Sequence, residues 1–193
     1  MRFIFLIAFL ATSCSSLPTG IGEYASSNYY IYRKNQAVEA GLAPIMSGLA
    51  PLALFKRASV GVDQGLLGFT PTQLALIREA SAYVNEVLNE DVLFYAKDSP
   101  DIKISPYEAA CCFGEASTWL KDNKMHALIE IKTVQTSVQF YATVVHELGH
   151  VLGLGHTEAT GSLMSENSED PPVSSFNELE VKTLQYLRSK RNI

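Results

Sequence analysis

Three of the chain's four histidines lie inside one eleven-residue run, His146-Glu147-Leu148-Gly149-His150-Val151-Leu152-Gly153-Leu154-Gly155-His156. No other feature limits the fold as strongly. Val138 to Leu152 reads as a helix, and on a helix positions four apart share a face. His146 and His150 therefore offer two imidazoles to one metal ion. Glu147 points beside that face, within reach of a water on the metal but not needed as a ligand. Leu148, Val151 and Leu152 point elsewhere, into a core. Gly153 lacks a Cβ and suits the left-handed residue that ends the helix. The chain can then turn and bring His156 round as a third ligand. Three neutral histidines plus water describe an open, catalytic zinc site with one ion, not a closed structural one. A bare HExxH arises by chance in some helices. Two further fixed residues lower that chance roughly a thousandfold.

The remaining composition sets bounds. At 193 residues the chain has room for one domain with a sizeable core. Net charge is −5 and basic residues form no stripe, which excludes nucleic acid as a partner, because phosphate binding needs a concentrated positive field. Arg2 followed by the apolar run Phe3 to Ala11 is too short to span a bilayer and reads as a signal peptide over residues 1–13. Ala11-Thr12-Ser13-Cys14 resembles the lipobox of bacterial lipoproteins, although Leu stands at position 10 and Ala11 three before the Cys. Lipidation at Cys14 would anchor the mature protein to a membrane, in the periplasm or at the outer membrane; ordinary secretion with cleavage after Ser13 is the other reading. Both place the mature protein outside the cytoplasm. Cys111 and Cys112 are adjacent and read as two small hydrophobes or as a vicinal disulfide.

Residues 14–28 form a tether rich in Ser, Gly and Thr, and 29–193 the catalytic domain. Tyr29 to Arg33 is aromatic and β-branched, as in a first strand. Residues 34–68 read as a loop or short-helix insertion without assigned function. Thr70-Pro71-Thr72-Gln73 announces a capped helix with Pro at its first position and Gln73 completing the box. Leu74, Ile77, Ala80, Ala82, Val84 and Leu88 give it an apolar stripe, to about Asn89. Strands are expected at Val92–Tyr95, Asp101–Ile104 and Met125–Val134, the last with Ala127, Ile129, Ile131 and Thr133 on one face. A third helix is expected after Ser175 and Glu178, with Phe176, Leu179, Leu184 and Leu187 inward. The order implies an α+β domain with one sheet packed on two main helices.

The run HExxHxxGxxH resembles the zinc motif of the metzincin proteases, whose second mark is a methionine in a tight turn. Gly161-Ser162-Leu163-Met164 supplies that turn, with Met164 eight residues past His156. Thr157, Gly161 and Leu163-Met164 are most similar to the matrixins, the matrix-metalloproteinase type. The resemblance extends weakly to Tyr29–Arg33, the Pro71 helix, Pro100–Ile104 and Glu178–Leu187. It implies a zincin-like fold, one twisted mixed sheet with an active-site helix, an N-terminal helix and a C-terminal helix. It also implies a zinc-dependent endopeptidase acting on protein or peptide substrates, which lie along an edge strand, here Met125–Val134. Zinc and Glu147 as general base would carry the hydrolysis. The sequence departs from the matrixins in three ways. His126 is the only spare histidine, so a second, structural zinc is not expected, and His126 reads as a strand residue with a local partner. No cysteine-switch pro-segment is visible. Ser165-Glu166 replaces the usual Tyr-Pro after the methionine. A non-catalytic zinc-binding lipoprotein on the same fold is the competing reading; Glu147 speaks against it.

Overall fold

The computed structural model describes residues 57–63, 68–108, 112–121, 124–165 and 172–189. The leader, Cys14, the tether and the Tyr29–Arg33 strand lie outside the described residues, as does Cys111; Cys112 is half-buried. The elements run β1 (Ala58–Val62), α1 (Pro71–Leu88), β2 (Leu93–Tyr95), β3 (Ile102–Tyr107), β4 (Gly114–Lys121), β5 (Lys124–Lys132), α2 (Ser137–Leu152) and α3 (Glu178–Ser189).

The five strands form one sheet in the order β2-β1-β3-β5-β4. The β1–β2, β1–β3 and β3–β5 pairs are parallel and β4–β5 is antiparallel. Alternation along each strand selects the core face. Ile102 and Ile104 on β3 and Ala127, Ile129 and Ile131 on β5 are buried, while Lys103 between them is exposed. Register lines these residues up across the sheet, Val60 beside Ile102 beside Ala127 and Ile104 beside Ile129. They meet α1 through Ile77, Ala80, Val84 and Leu88, and α2 through Phe140, Val144, Val145, Leu148 and Val151. Each fully buried Val, Leu, Ile or Phe among them contributes about 1.5–3 kcal/mol by leaving water.

Both long helices start with the same chemistry. Thr70 and Thr136 each accept from the backbone of the residue three on, and Gln73 and Gln139 reach back to the cap. Gln73 also donates through Nε2 to the Thr133 carbonyl at 2.8 Å, so the start of α1 is tied to the segment that launches α2. At the other end Gly153 takes φ 107° and stops α2.

Four expectations need correction. Residues 58–62 are not loop or short-helix insertion but β1, an inner strand, whose buried Ser59 is satisfied by Asp101 through 2.9 and 2.7 Å hydrogen bonds. Ala82 is exposed and does not belong to the α1 stripe. The α3 box is not Ser175 with Glu178: Glu180 N donates to Asn177 Oδ1 at 3.0 Å and Asn177 N to Glu180 Oε2 at 2.8 Å, and Leu179 is exposed. Met125–Val134 is not an edge, because β5 is paired on both sides; β4, which the sequence reading passed over, is the terminal strand on that side.

Candidate metal centre

The second half of α2 carries His146 and His150, and the turn after Gly153 returns His156 to them. His146 Nε2 lies 3.2 Å from His156 Nε2, and His150 Nε2 lies 3.0 Å from it. All three donor nitrogens fall within 4.8 Å of one another. The other ring nitrogens face backbone carbonyls, His146 Nδ1 to Leu163 O at 2.6 Å and His150 Nδ1 to Leu154 O at 2.9 Å. A carbonyl only accepts, so each Nδ1 carries the proton and each Nε2 keeps a lone pair. These two lone pairs are turned toward His156 Nε2 and are free to bind a cation placed among the three rings. Tetrahedral zinc with bonds of about 2.0–2.1 Å places its nitrogens roughly 3.3–3.4 Å apart, close to the observed spacing. The donor set fits zinc, and carbonyl-anchored imidazoles are the usual outer support of such a site.

Burial keeps the histidines neutral. It drives His146 down to about 4, against the Leu163 hydrogen bond, which pulls the other way, with His156 adding to the fall. His150 is likewise pushed well below its ordinary value by burial and then by His146 and His156. Neutral imidazole is the form that binds metal. Glu147, 4% exposed, is pushed up to about 8 by burial, with Glu115 contributing. Its side chain lies against the head of β4: a Cβ placed on Gly114 would come within 2.8 Å of Glu147 Oε1.

Beneath the histidines the chain folds into the methionine turn. Met164 is buried and packs on the back of α2 at Gly149, where a Cβ would stand 2.6 Å from Met164 Sδ. Thr157 N donates to Met164 O at 2.9 Å and closes the loop that begins at His156. The turn is held from outside by Glu180, 1% exposed. Ser162 Oγ donates to Glu180 Oε1 in a short hydrogen bond, and Met164 N donates to Ser162 Oγ and to Glu180 Oε1, both at 3.1 Å. Sequence reasoning missed Glu180. Its only written signal is an acidic residue on the inward face of α3, which exposure of Glu178 and Leu179 on neighbouring positions masks.

The structure thus brings together His146, His150, His156 and, beneath them, Met164. His126 stands apart on β5, stacked on Trp119 of β4 with ring centroids 5.9 Å apart, the local partner expected of it. Among the described residues the three histidines are the one group able to hold a metal ion.

Residues 94–187 match the profile of the matrixin family. No curated protein matches the chain. Among solved structures, archaemetzincin from Methanopyrus kandleri is similar with a TM-score of 0.51 and 16% identity, over 73% of this chain and 99% of that one. Myroilysin is similar with a TM-score of 0.50 and 12% identity, over 77% of this chain and 95% of that one. These likenesses establish the fold, and the matched span holds the histidines, the methionine turn and Glu180. Over residues 94–187, just under half of its length, the chain is similar to the matrixins, and its fold is the metzincin fold.

Proposed function

We propose that the protein is a zinc-dependent endopeptidase in which Glu147 is the general base, acting outside the cytoplasm from a lipid anchor at Cys14. The observation that carries the catalytic reading is the convergence of three imidazole Nε2 atoms, two of them on the helix that also bears a buried carboxyl next to the first of them. When bound, zinc supplies Lewis acidity, lowering the pKa of a water toward neutrality and polarising the scissile carbonyl. The chain's own residues supply the rest. His146, His150 and His156 hold the ion, the first two with their Nδ1–H groups fixed on carbonyls. Glu147 accepts the proton of the attacking water and passes it to the departing amine. Burial favours this role, because a carboxyl raised toward neutrality is a stronger base than an exposed one. An extended peptide has a backbone template in β4, the terminal strand whose head touches Glu147. The leader and the Ala-Thr-Ser-Cys14 run support the anchor.

The test is cleavage of a broad peptide library by the zinc-loaded protein, read by mass spectrometry, with and without chelator. Wild type should cleave only with metal. Glu147→Gln should keep zinc and lose on the order of 10²–10⁴-fold in rate. Absence of metal-dependent cleavage by wild type would move the non-catalytic binding module ahead; full activity in Glu147→Gln would remove Glu147 as the base.

A further inference from the structure

We propose that Gly114, the first residue of β4, is a positioning residue for Glu147: the space left by its missing side chain is the berth in which the base carboxyl lies. The inference rests on the reading of Glu147 as the base. Gly114 is buried and pairs with Ile131 of β5, so its absent side chain would project to the core face, toward α2. There an added Cβ would meet Thr143 Cγ2 at 2.7 Å, Glu147 Oε1 at 2.8 Å and Glu147 Cγ at 3.0 Å. Thr143 and Glu147 are four apart on α2, and both lie over this one residue. Real Cβ atoms essentially never approach so closely, so any side chain at 114 must displace one or both.

The approach of strand and helix is itself fixed. Gln135, in the β5–α2 connection, donates through Nε2 to Lys132 O at 2.6 Å and to Phe113 O at 3.3 Å, and its Oε1 accepts from Thr143 Oγ1 at 2.9 Å. Lys132 N donates to Phe113 O at 2.8 Å. One side chain therefore joins the peptide just before Gly114 to the residue one turn before Glu147. Neither the head of β4 nor α2 can back away without breaking that bridge. The Glu147 carboxyl is the far end of a flexible side chain, so it is the group that moves when a Cβ appears.

A displacement of the base should cost turnover and not binding. Misplacing a reacting group by about 1 Å costs on the order of a hundredfold. Gly114→Ala is therefore expected to lower kcat by about that factor, with KM and zinc affinity within about threefold of wild type. A crystal structure of metal-free Gly114→Ala should show the Glu147 carboxyl shifted from its wild-type place. The decisive comparison is in the Glu147→Gln background. If Gly114 acts through the base, Gly114→Ala should lower the residual activity of Glu147→Gln by less than about threefold, because the interaction is already gone. Gly114→Ala/Thr143→Ser removes the Cγ2 contact, keeps the Glu147 contact, and serves if the single variant folds poorly; it should show the same loss. Near-wild-type kcat in either variant, or an equal loss in the Glu147→Gln background, would overturn the proposal. Wild type inactive on every peptide would instead count against the endopeptidase reading, while the metal-free crystal structures would still decide whether residue 114 seats the carboxyl.

Discussion

His146 Nδ1 lies 2.6 Å from the carbonyl oxygen of Leu163, so a proposed zinc ligand on α2 is oriented by the residue just before the turn methionine. That carbonyl is placed in turn by its neighbours: Ser162 and Met164 both bond to Glu180 of α3. The three contacts form a relay from the last helix to the metal. Ser162→Ala should therefore weaken zinc binding although Ser162 touches no ligand. Outer supports of this kind are worth about 10–100-fold in metal affinity. Chelator competition checks it. An unchanged zinc affinity in a folded Ser162→Ala protein would show that the turn holds Leu163 without the hydroxyl.

His150→Ala removes the most buried of the three ligands. Zinc analysis of the purified variant should find the ion lost, and its melting temperature should no longer respond to added zinc. For wild type, free zinc at a hundred times its Kd should stabilise the folded state by about 2.7 kcal/mol. Undiminished zinc in the variant would overturn the ligand assignment.

The metal-free protein should show a pH dependence of opposite sign on its two sides. Glu147 is raised from 4.5 to about 8. Its contribution to stability is complete below the unfolded value and is lost as pH rises through the folded one. Between pH 6.5 and 8 this amounts to roughly 2 kcal/mol. His146 is lowered from 6.5 to about 4, so the unfolded chain takes up protons that the folded one refuses, and stability falls as pH drops from about 6.5 toward 4. Melting scans in chelator should peak between the two effects. Glu147→Gln should flatten the alkaline side and steepen the acid side, where Glu147 otherwise opposes the histidines between about pH 4.5 and 6.5; an alkaline fall that survives the substitution would place its cause elsewhere.

Cys14→Ser should move the protein from the membrane pellet to the soluble fraction of expressing cells. Complete retention with membranes would exclude Cys14 as the anchor.

What the sequence displayed was decided by how local each cause is. The Thr-Pro-Thr-Gln cap, the Gly153 stop and the alternation in β5 all arise from residues a few positions apart. They appear as expected. The β1 strand was hidden because Ala58–Val62 is five residues long, contains a glycine, and buries a serine whose partner, Asp101, is 42 residues away. The β4 strand was hidden because a terminal strand alternates weakly: from Glu115 to Trp119 every residue is half-exposed. The histidines could be read directly, whereas Glu180 could not. An acid on a helix normally faces water, and the reason this one does not is Ser162, eighteen positions back.

The three proposed zinc donors come from eleven consecutive residues, so ring closure around an ion would span segments of only four and six peptide units. Loop entropy for such short closures is small, and the helix supplies the first of them without any contact from the sheet. The carbonyl that orients His146 depends instead on α3, docked through Tyr83 of α1, whose hydroxyl accepts from Phe176 N at 2.8 Å. Capture of the ion and its correct orientation thus belong to different ranges of chain connectivity. A fragment ending before α3 would retain all three imidazoles and lose the support that aims them.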